Sequence, residues 1–530
     1  MKKIDNIGNL ENGKDRKEAQ QELKEVLARA SALQAALAMV EWDNETLSPK
    51  AAGEQTSRLA GVLSGLYYGV MTGEELGELL RENQKAKQGE MDQKNTGKEE
   101  AGQGEKEESL MDRMAEEAEK ERKNLSCVPR EEYEEFTCLT SSAGKVWAEA
   151  KEKQDFALFA PSLEKIISFR KKMASYRKEG SQTLYDVMLD EFEESFPEEK
   201  LDEFFGIIRE ELVPFLEKLK KQGRKIDNSF LYGNYPREKQ EKLARMMAEY
   251  IGFDFDRGVL AVSAHPFTTS FHNKDVRMTT HYDNWLDHSL FSVIHEGGHA
   301  LYELGIKDEL TQTILGQGAS MAMHESQSRF MENMIGRSLA FWEPIYGKVQ
   351  DLFQEQLKTI SVEEFVAGIN KVEPGLIRTS ADELTYSLHI MVRYDLEKQL
   401  MKGDLKIEAL EQAWADKYEE YLGIRPKNAA EGVLQDIHWS QGSFGYFPSY
   451  ALGSAFAAQI YRKMRETMDV DAVLRAGEIK KITDYLKENI HCQGKMKTSR
   501  QLLKDTTGEN FTPKYYIEYL KEKYGKLYLG

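Results

Sequence analysis

Residues 289–305 read Ser289-Leu-Phe-Ser-Val-Ile-His295-Glu296-Gly297-Gly298-His299-Ala-Leu-Tyr-Glu-Leu-Gly305. The stretch reads as one helix, with Asp287 or Ser289 as the candidate N-cap and Gly305 as the candidate C-cap. Residues four apart stand one turn apart, so His295 and His299 share a face, and both imidazoles can reach a single ion at about 2.0–2.1 Å. Glu296 is rotated away from the pair, where it can take a proton from a metal-bound water whose pKa Zn2+ lowers towards ~7. Gly297 and Gly298 each weaken a helix by about 1 kcal/mol relative to alanine. Close helix packing is the favoured reason for them, ahead of substrate approach.

A catalytic zinc site needs a third protein ligand and an open position. Downstream lies ILGQGASMAMHESQSRFMENMIG, in which Gly316 and Gly318 suit a turn and Met321 starts a second helix. Glu325, 26 residues beyond His299, can return past the ion, and His324 and Glu332 compete with it. Spacing alone does not choose. Upstream, Ala264 to Asp283 alternates residue types around the turn signal His272-Asn273-Lys274-Asp275, which predicts a β-hairpin. Such a hairpin can offer an edge strand to an extended peptide or simply pack on the helices. Seven of the ten histidines fall between His265 and His324. Of these, His272, His281 and His288 are read as surface or packing residues.

Farther out, helical spacing recurs at Leu23, Val26, Leu27, Ala30, Leu33, Leu37 and Val40, at Leu163, Ile166, Ile167, Phe169, Met173 and Tyr176, and in the ending PKYYIEYLKEKYG. With 12 prolines in 530 residues the fold reads as mainly α. The charged segment 81–109 holds too few apolar residues to offset the entropy of ordering and reads as a flexible surface insertion. Two later segments are dense in functional groups: Leu376 to Glu383, and Gly432 to Trp439 followed by Gly442 to Tyr450. His438, Tyr446 and Tyr450 could donate to a developing oxyanion. An arginine could hold a carboxylate in a two-pronged hydrogen bond.

A formal charge of −18 argues against a nucleic-acid partner. Cys127, Cys138 and Cys492 lack CxxC spacing, offer no thiolate metal site and fit a reducing compartment as buried or half-buried thiols. No signal-like or membrane-spanning run is evident, so cytoplasm is the expected location.

The chain resembles the carboxypeptidase Taq family of metallocarboxypeptidases. The resemblance rests on His265-Pro-Phe267, Asp275-Val-Arg277-Met-Thr279, HEGGH at 295–299, His324-Glu-Ser-Gln327, Arg378 to Asp382 and Gly432 to Trp439, in that order. It extends outward through Trp42-Asp43, Thr46, Pro49, Tyr185-Asp186 and Leu189-Asp190. It implies a single domain over 1–530: a mainly α, saddle-like body with a deep substrate groove and a small β-hairpin or sheet beside the active site. It further implies a homodimer that takes C-terminal residues from peptides with a free carboxylate, with broad specificity and poor action on proline.

The resemblance also supplies roles. Glu325 matches the third ligand beside His295 and His299, around one Zn2+ or Co2+ ion per chain. Glu296 matches the general base and acid, with His438 and Tyr450 placed in the catalytic set. His265, Arg277, Arg378 and Tyr446 match substrate-binding positions, and Asp382 and Asp436 are candidates for orienting the imidazoles. An endo-acting zinc oligopeptidase on a related helical fold is the alternative. A non-catalytic peptide- or metal-binding protein is disfavoured by Glu296 beside the complete ligand set.

Overall fold

Prolines mark where helices begin: Pro129, Pro197, Pro236 and Pro513 each stand immediately before one, where a missing N–H costs no helical hydrogen bond. The structure, a computed structural model, describes residues 16–94 and 103–530. It is mainly helical, as the spacing predicts. The packing sorts into two compact units. The smaller holds the described residues up to Cys127 together with Leu310–Gly316, and the larger holds Val128–Glu309 and Gln317–Gly530.

In the smaller unit, α1 (Arg16–Thr46), α2 (Gly53–Thr72), α3 (Glu74–Lys94) and α4 (Gln103–Ser126) pack together. Leu23, Val26, Leu27 and Ala30 are buried, as their spacing requires. Of the segment read as a flexible insertion, 81–94 and 103–109 are helical, and 95–102 lie outside the described residues. The difference has a physical reason. The segment is rich in Glu, Lys and Gln, which favour helix, and buried Leu76, Leu79, Met111 and Met114 anchor its flanks. Lys87 also bridges the two helices through Asp112 and Glu116, at 3.3 Å each.

Among the helices of the larger unit are α5 (Arg130–Lys153), α6 (Phe156–Arg177), α7 (Glu198–Gln222), α8 (Arg237–Ile251), α9 (Leu286–Gly305), α10 (Met321–Arg329), α11 (Glu383–Lys402), α12 (Pro448–Thr467) and α13 (Lys514–Leu529). One apolar core runs through them and includes Leu163, Ile166, Ile167, Tyr516, Ile517 and Leu520 from the periodic stretches. The hairpin forms as expected: β2 (Thr268–His272) pairs antiparallel with β3 (Asp275–Thr280) across Asn273-Lys274. An unforeseen strand, β1 (Gly258–Val262), adds in parallel to the far side of β3, giving the order β1-β3-β2. Five residues of GVLAV are too few for periodicity to separate strand from helix.

The sheet packs on α9, with the Thr280 hydroxyl 2.6 Å from that of Ser292. The start of α9 differs from the expectation. Its N-cap is Trp285, whose N–H donates to Asp283 at 2.7 Å, while Asp287 and Ser289 lie inside the helix. Gly305 is the last helical residue rather than a left-handed cap. A Cβ there would stand 2.5 Å from that of His491, so the glycine serves packing. No described helix is long and apolar enough to cross a membrane. The three cysteines form no disulfide, and Cys138 is exposed rather than buried, because it lies on the outer face of α5.

Candidate active site

His295 and His299 project from one face of α9, and α10 crosses that face closely enough to bring in Glu325. The crossing depends on Gly298. A Cβ there would lie 2.6 Å from the Gln327 carbonyl oxygen and 2.6 Å from the Ser328 Cα. Gly297 likewise makes room for Ile251 of α8, 2.3 Å from its hypothetical Cβ. On the other side of α10, Gly453 of α12 leaves space for Glu325, whose Cβ would be 2.6 Å from an added methyl. The packing explanation for the two glycines therefore holds, and a third glycine has the same purpose.

Glu325 Oε2 stands 3.6 Å from His295 Nε2 and 3.4 Å from His299 Nε2, and the three ligand atoms lie within 4.8 Å of one another. The donor set of two imidazole nitrogens and one carboxylate oxygen fits Zn2+ or Co2+. The outward nitrogens are engaged. Glu332 Oε2 is 2.9 Å from His295 Nδ1, and His324 Nδ1 is 2.6 Å from His299 Nδ1. His324 Nε2 in turn meets Glu303 Oε1 at 2.9 Å. These contacts fix the tautomers that turn both Nε2 lone pairs towards Glu325. His324 and Glu332, the rival ligands by spacing, thus contact the outward nitrogens of His295 and His299.

Burial acts on each group and its neighbours decide the result. It pushes His299 down to about 3, keeping the ring neutral, the form that could bind a metal. Burial would lower His295 as well, but Glu325 and Glu332 outweigh it and raise it, as expected for a ring in a pocket that favours positive charge. Glu325 is held well below the usual carboxylate range because Arg329, His295 and His299 overcome its desolvation. Arg329, the last residue of α10, also spans to Glu332, at 3.0 Å, in the π-helical turn over Phe330–Ile335. That turn rotates Glu332 under His295.

Glu296 is buried, and burial raises it above the ordinary carboxylate range. Its Oε2 accepts from the Thr268 hydroxyl at 2.7 Å, so β2, one of the two edge strands, touches the site directly. Register places Thr269 and Arg277 on the opposite face of the sheet from Thr268. Arg277 there forms a two-pronged pair with Asp275, at 2.8 Å per bond, and lies over Phe271. His265 is exposed between β1 and β2. The structure therefore puts Arg277 on the sheet face opposite Thr268, and His265 in the exposed segment that leads into β2.

The other expected residues do come together. Arg378 is buried and bonded to Asp436 (Nη2 to Oδ1, 2.9 Å) and to the Tyr386 hydroxyl (3.0 Å), with the ring of Tyr450 5.0 Å away. Each guanidinium nitrogen has a partner, and Nη1 and Nη2 each keep a second N–H. Tyr386 also stacks under Arg329, which links this cluster to Glu325. His438 stacks on Tyr446 at 5.5 Å, and Tyr446 meets Tyr450 edge-on at 5.0 Å. Burial pushes His438 down to about 3 and Tyr446 up to about 12, the charge of Glu325 adding to the latter. His438 Nδ1 is buried without a hydrogen-bond partner.

Asp382 and Asp436 do not orient the imidazoles. Asp382 caps α11 through the Thr385 N–H at 3.0 Å, and Asp436 is taken by Arg378. Glu332, His324 and Glu303 hold that role. Sequence reading had no signal for Thr268, Glu303 or Gly453. For Glu332 it had only its place within the second helix, where the π turn altered the phase.

The sequence profile described as carboxypeptidase Taq (M32) metallopeptidase matches residues 22–524. Carboxypeptidase 1 of Bacillus subtilis is 40% identical over 512 residues, covering 96% of this chain and 99% of that protein. Thermostable carboxypeptidase 1 of Thermus thermophilus is 34% identical, again over 96% of this chain and 99% of its own. The crystal structure of an M32 carboxypeptidase from Deinococcus radiodurans R1 superposes with a TM-score of 0.89 at 32% identity, over 96% of this chain and 99% of that one.

Proposed function

The chain belongs to the carboxypeptidase Taq (M32) family of metallopeptidases, and from that membership we propose that it releases C-terminal residues from peptides, with broad specificity and little action on proline. His295, His299 and Glu325 would hold one Zn2+ or Co2+ ion per chain at this centre. The ion would polarise the scissile carbonyl and acidify the attacking water. Glu296 takes the proton from that water and passes it to the leaving amine, a shuttle its raised pKa suits. Thr268 keeps the carboxylate aimed through its 2.7 Å bond. A substrate strand would pair with the outer edge of β2 and so pass Glu296.

Tyr450, Tyr446 and His438 would donate to the developing oxyanion, and Arg378 would offer its two remaining N–H groups to the substrate's carboxylate. His265 and Arg277 would contact substrate farther along the sheet. Both packing units would belong to one metallocarboxypeptidase domain, since the profile match spans them. The mature enzyme would be a cytoplasmic homodimer.

The observation that carries this reading is the convergence of three ligand atoms within 4.8 Å beside a buried, hydrogen-bonded Glu296. Arg378 favours one second reading. Its charge is already balanced by Asp436, as it would be in an endo-acting enzyme that needs no carboxylate anchor. A peptide and its C-terminally amidated twin separate the two. Loss of cleavage on amidation supports the exopeptidase, and equal cleavage of both would assign the endopeptidase.

A further inference from the structure

Two helical turns before His295, on the same face of α9, stands His288. Seven residues along a helix span about 10 Å. Its Nδ1 lies 2.8 Å from Asp283 Oδ2, and His281 Nε2 lies 3.3 Å from the same oxygen. These three ligand atoms fall within 4.8 Å of one another, as do those of His295, His299 and Glu325. The other Asp283 oxygen accepts the Trp285 N–H at 2.7 Å, which fixes the carboxylate's orientation. The His288 ring is stacked on Trp285 at 5.9 Å, which fixes the imidazole.

We propose that His281, Asp283 and His288 form a second divalent-metal site, ligated through His281 Nε2, Asp283 Oδ2 and His288 Nδ1. Two imidazoles and one carboxylate select borderline ions such as Zn2+, Co2+ or Ni2+ over Ca2+ or Mg2+, which prefer all-oxygen shells. The side chains are 35%, 36% and 37% exposed, so an ion can enter from solvent and water can complete its shell. The helix N-terminus works against a cation at this place, and the Asp283 charge offsets it. A bound ion would tie the chain just after β3 to the first turn of α9, the helix that bears His295 and His299. The site would therefore couple free metal concentration to the rigidity of the catalytic helix.

The test is zinc stoichiometry. His295→Ala/His299→Ala protein, titrated with Zn2+ and counted by elemental analysis after gel filtration in zinc-containing buffer, is expected to hold one ion per chain and to melt at a higher temperature with zinc than without. Adding His281→Ala/His288→Ala is expected to remove both effects. Asp283→Asn, which keeps an acceptor for the Trp285 N–H, is expected to weaken binding at least tenfold. Should the catalytic double variant not fold by circular dichroism, the wild type and His281→Ala/His288→Ala alone decide, with two ions against one. Equal zinc in that pair, or no zinc in the folded His295→Ala/His299→Ala protein, overturns the proposal.

Discussion

Replacing Gly298 with alanine puts helix propensity and site geometry in opposition. By propensity alone the change would stabilise α9 by about 1 kcal/mol. The added Cβ, however, falls 2.6 Å from the Gln327 carbonyl oxygen and from the Ser328 Cα, where ordinary contact begins at 3.4 Å. Both obstacles are backbone, so α9 and α10 must part by roughly 0.8 Å, the difference between those distances. Overpacking of this kind costs about 1–3 kcal/mol, which leaves a net loss of about 0–2 kcal/mol.

The larger effect is on metal. Glu325 rides on α10 two residues before Gln327, and metal–ligand distances tolerate about 0.2 Å. A shift several times larger should weaken binding at least as much as loss of a supporting hydrogen bond, about 10–100-fold. Chelator competition reads the affinity, and urea unfolding of metal-free protein reads the stability. A variant that binds metal as tightly as the wild type and gains about 1 kcal/mol would refute the role assigned to Gly298.

Glu332→Gln keeps all three ligands but loosens the His295 ring, and metal affinity should fall about 10–100-fold by the same competition assay. Glu325→Ala should lose the catalytic ion and turnover together, whereas Glu296→Gln should keep the ion and lose nearly all turnover; metal analysis beside a peptide assay distinguishes them. Asp436→Asn leaves Arg378 buried without its counter-charge and should cost about 3–5 kcal/mol at neutral pH. Burial pushes Asp436 up but Arg378 holds it at about 2, below its unfolded value of 3.8. Its contribution is thus complete above about pH 4 and is lost as the pH falls towards 2. The gap between wild type and variant in urea unfolding should narrow over that interval.

The features legible in the sequence were those with a short period or a fixed spacing. The i, i+4 histidines, the hairpin around Asn273-Lys274 and the long amphipathic helices all reappear in the structure. Supporting contacts were hidden because they join residues far apart in the chain: Thr268 to Glu296, Glu332 to His295, Gly453 to Glu325. Asp382 and Asp436 were plausible orienters by residue type alone. Local geometry commits the first to a helix cap and the second to a buried arginine. In the 81–109 segment the helices at 81–94 and 103–109 were hidden because composition alone does not register the apolar anchors on either side. GVLAV went unread because a five-residue strand gains its identity only from the β3 edge it joins.

The central claim is removal of residues from the carboxyl end by a metal centre built on His295, His299 and Glu325. Its most direct test incubates metal-loaded protein with an N-blocked peptide and follows the products by mass over time. The account predicts a ladder in which single residues disappear in order from the C-terminus, abolished by chelator and restored by Zn2+ or Co2+. Internal fragments released together, or a ladder that persists in excess chelator, would contradict it.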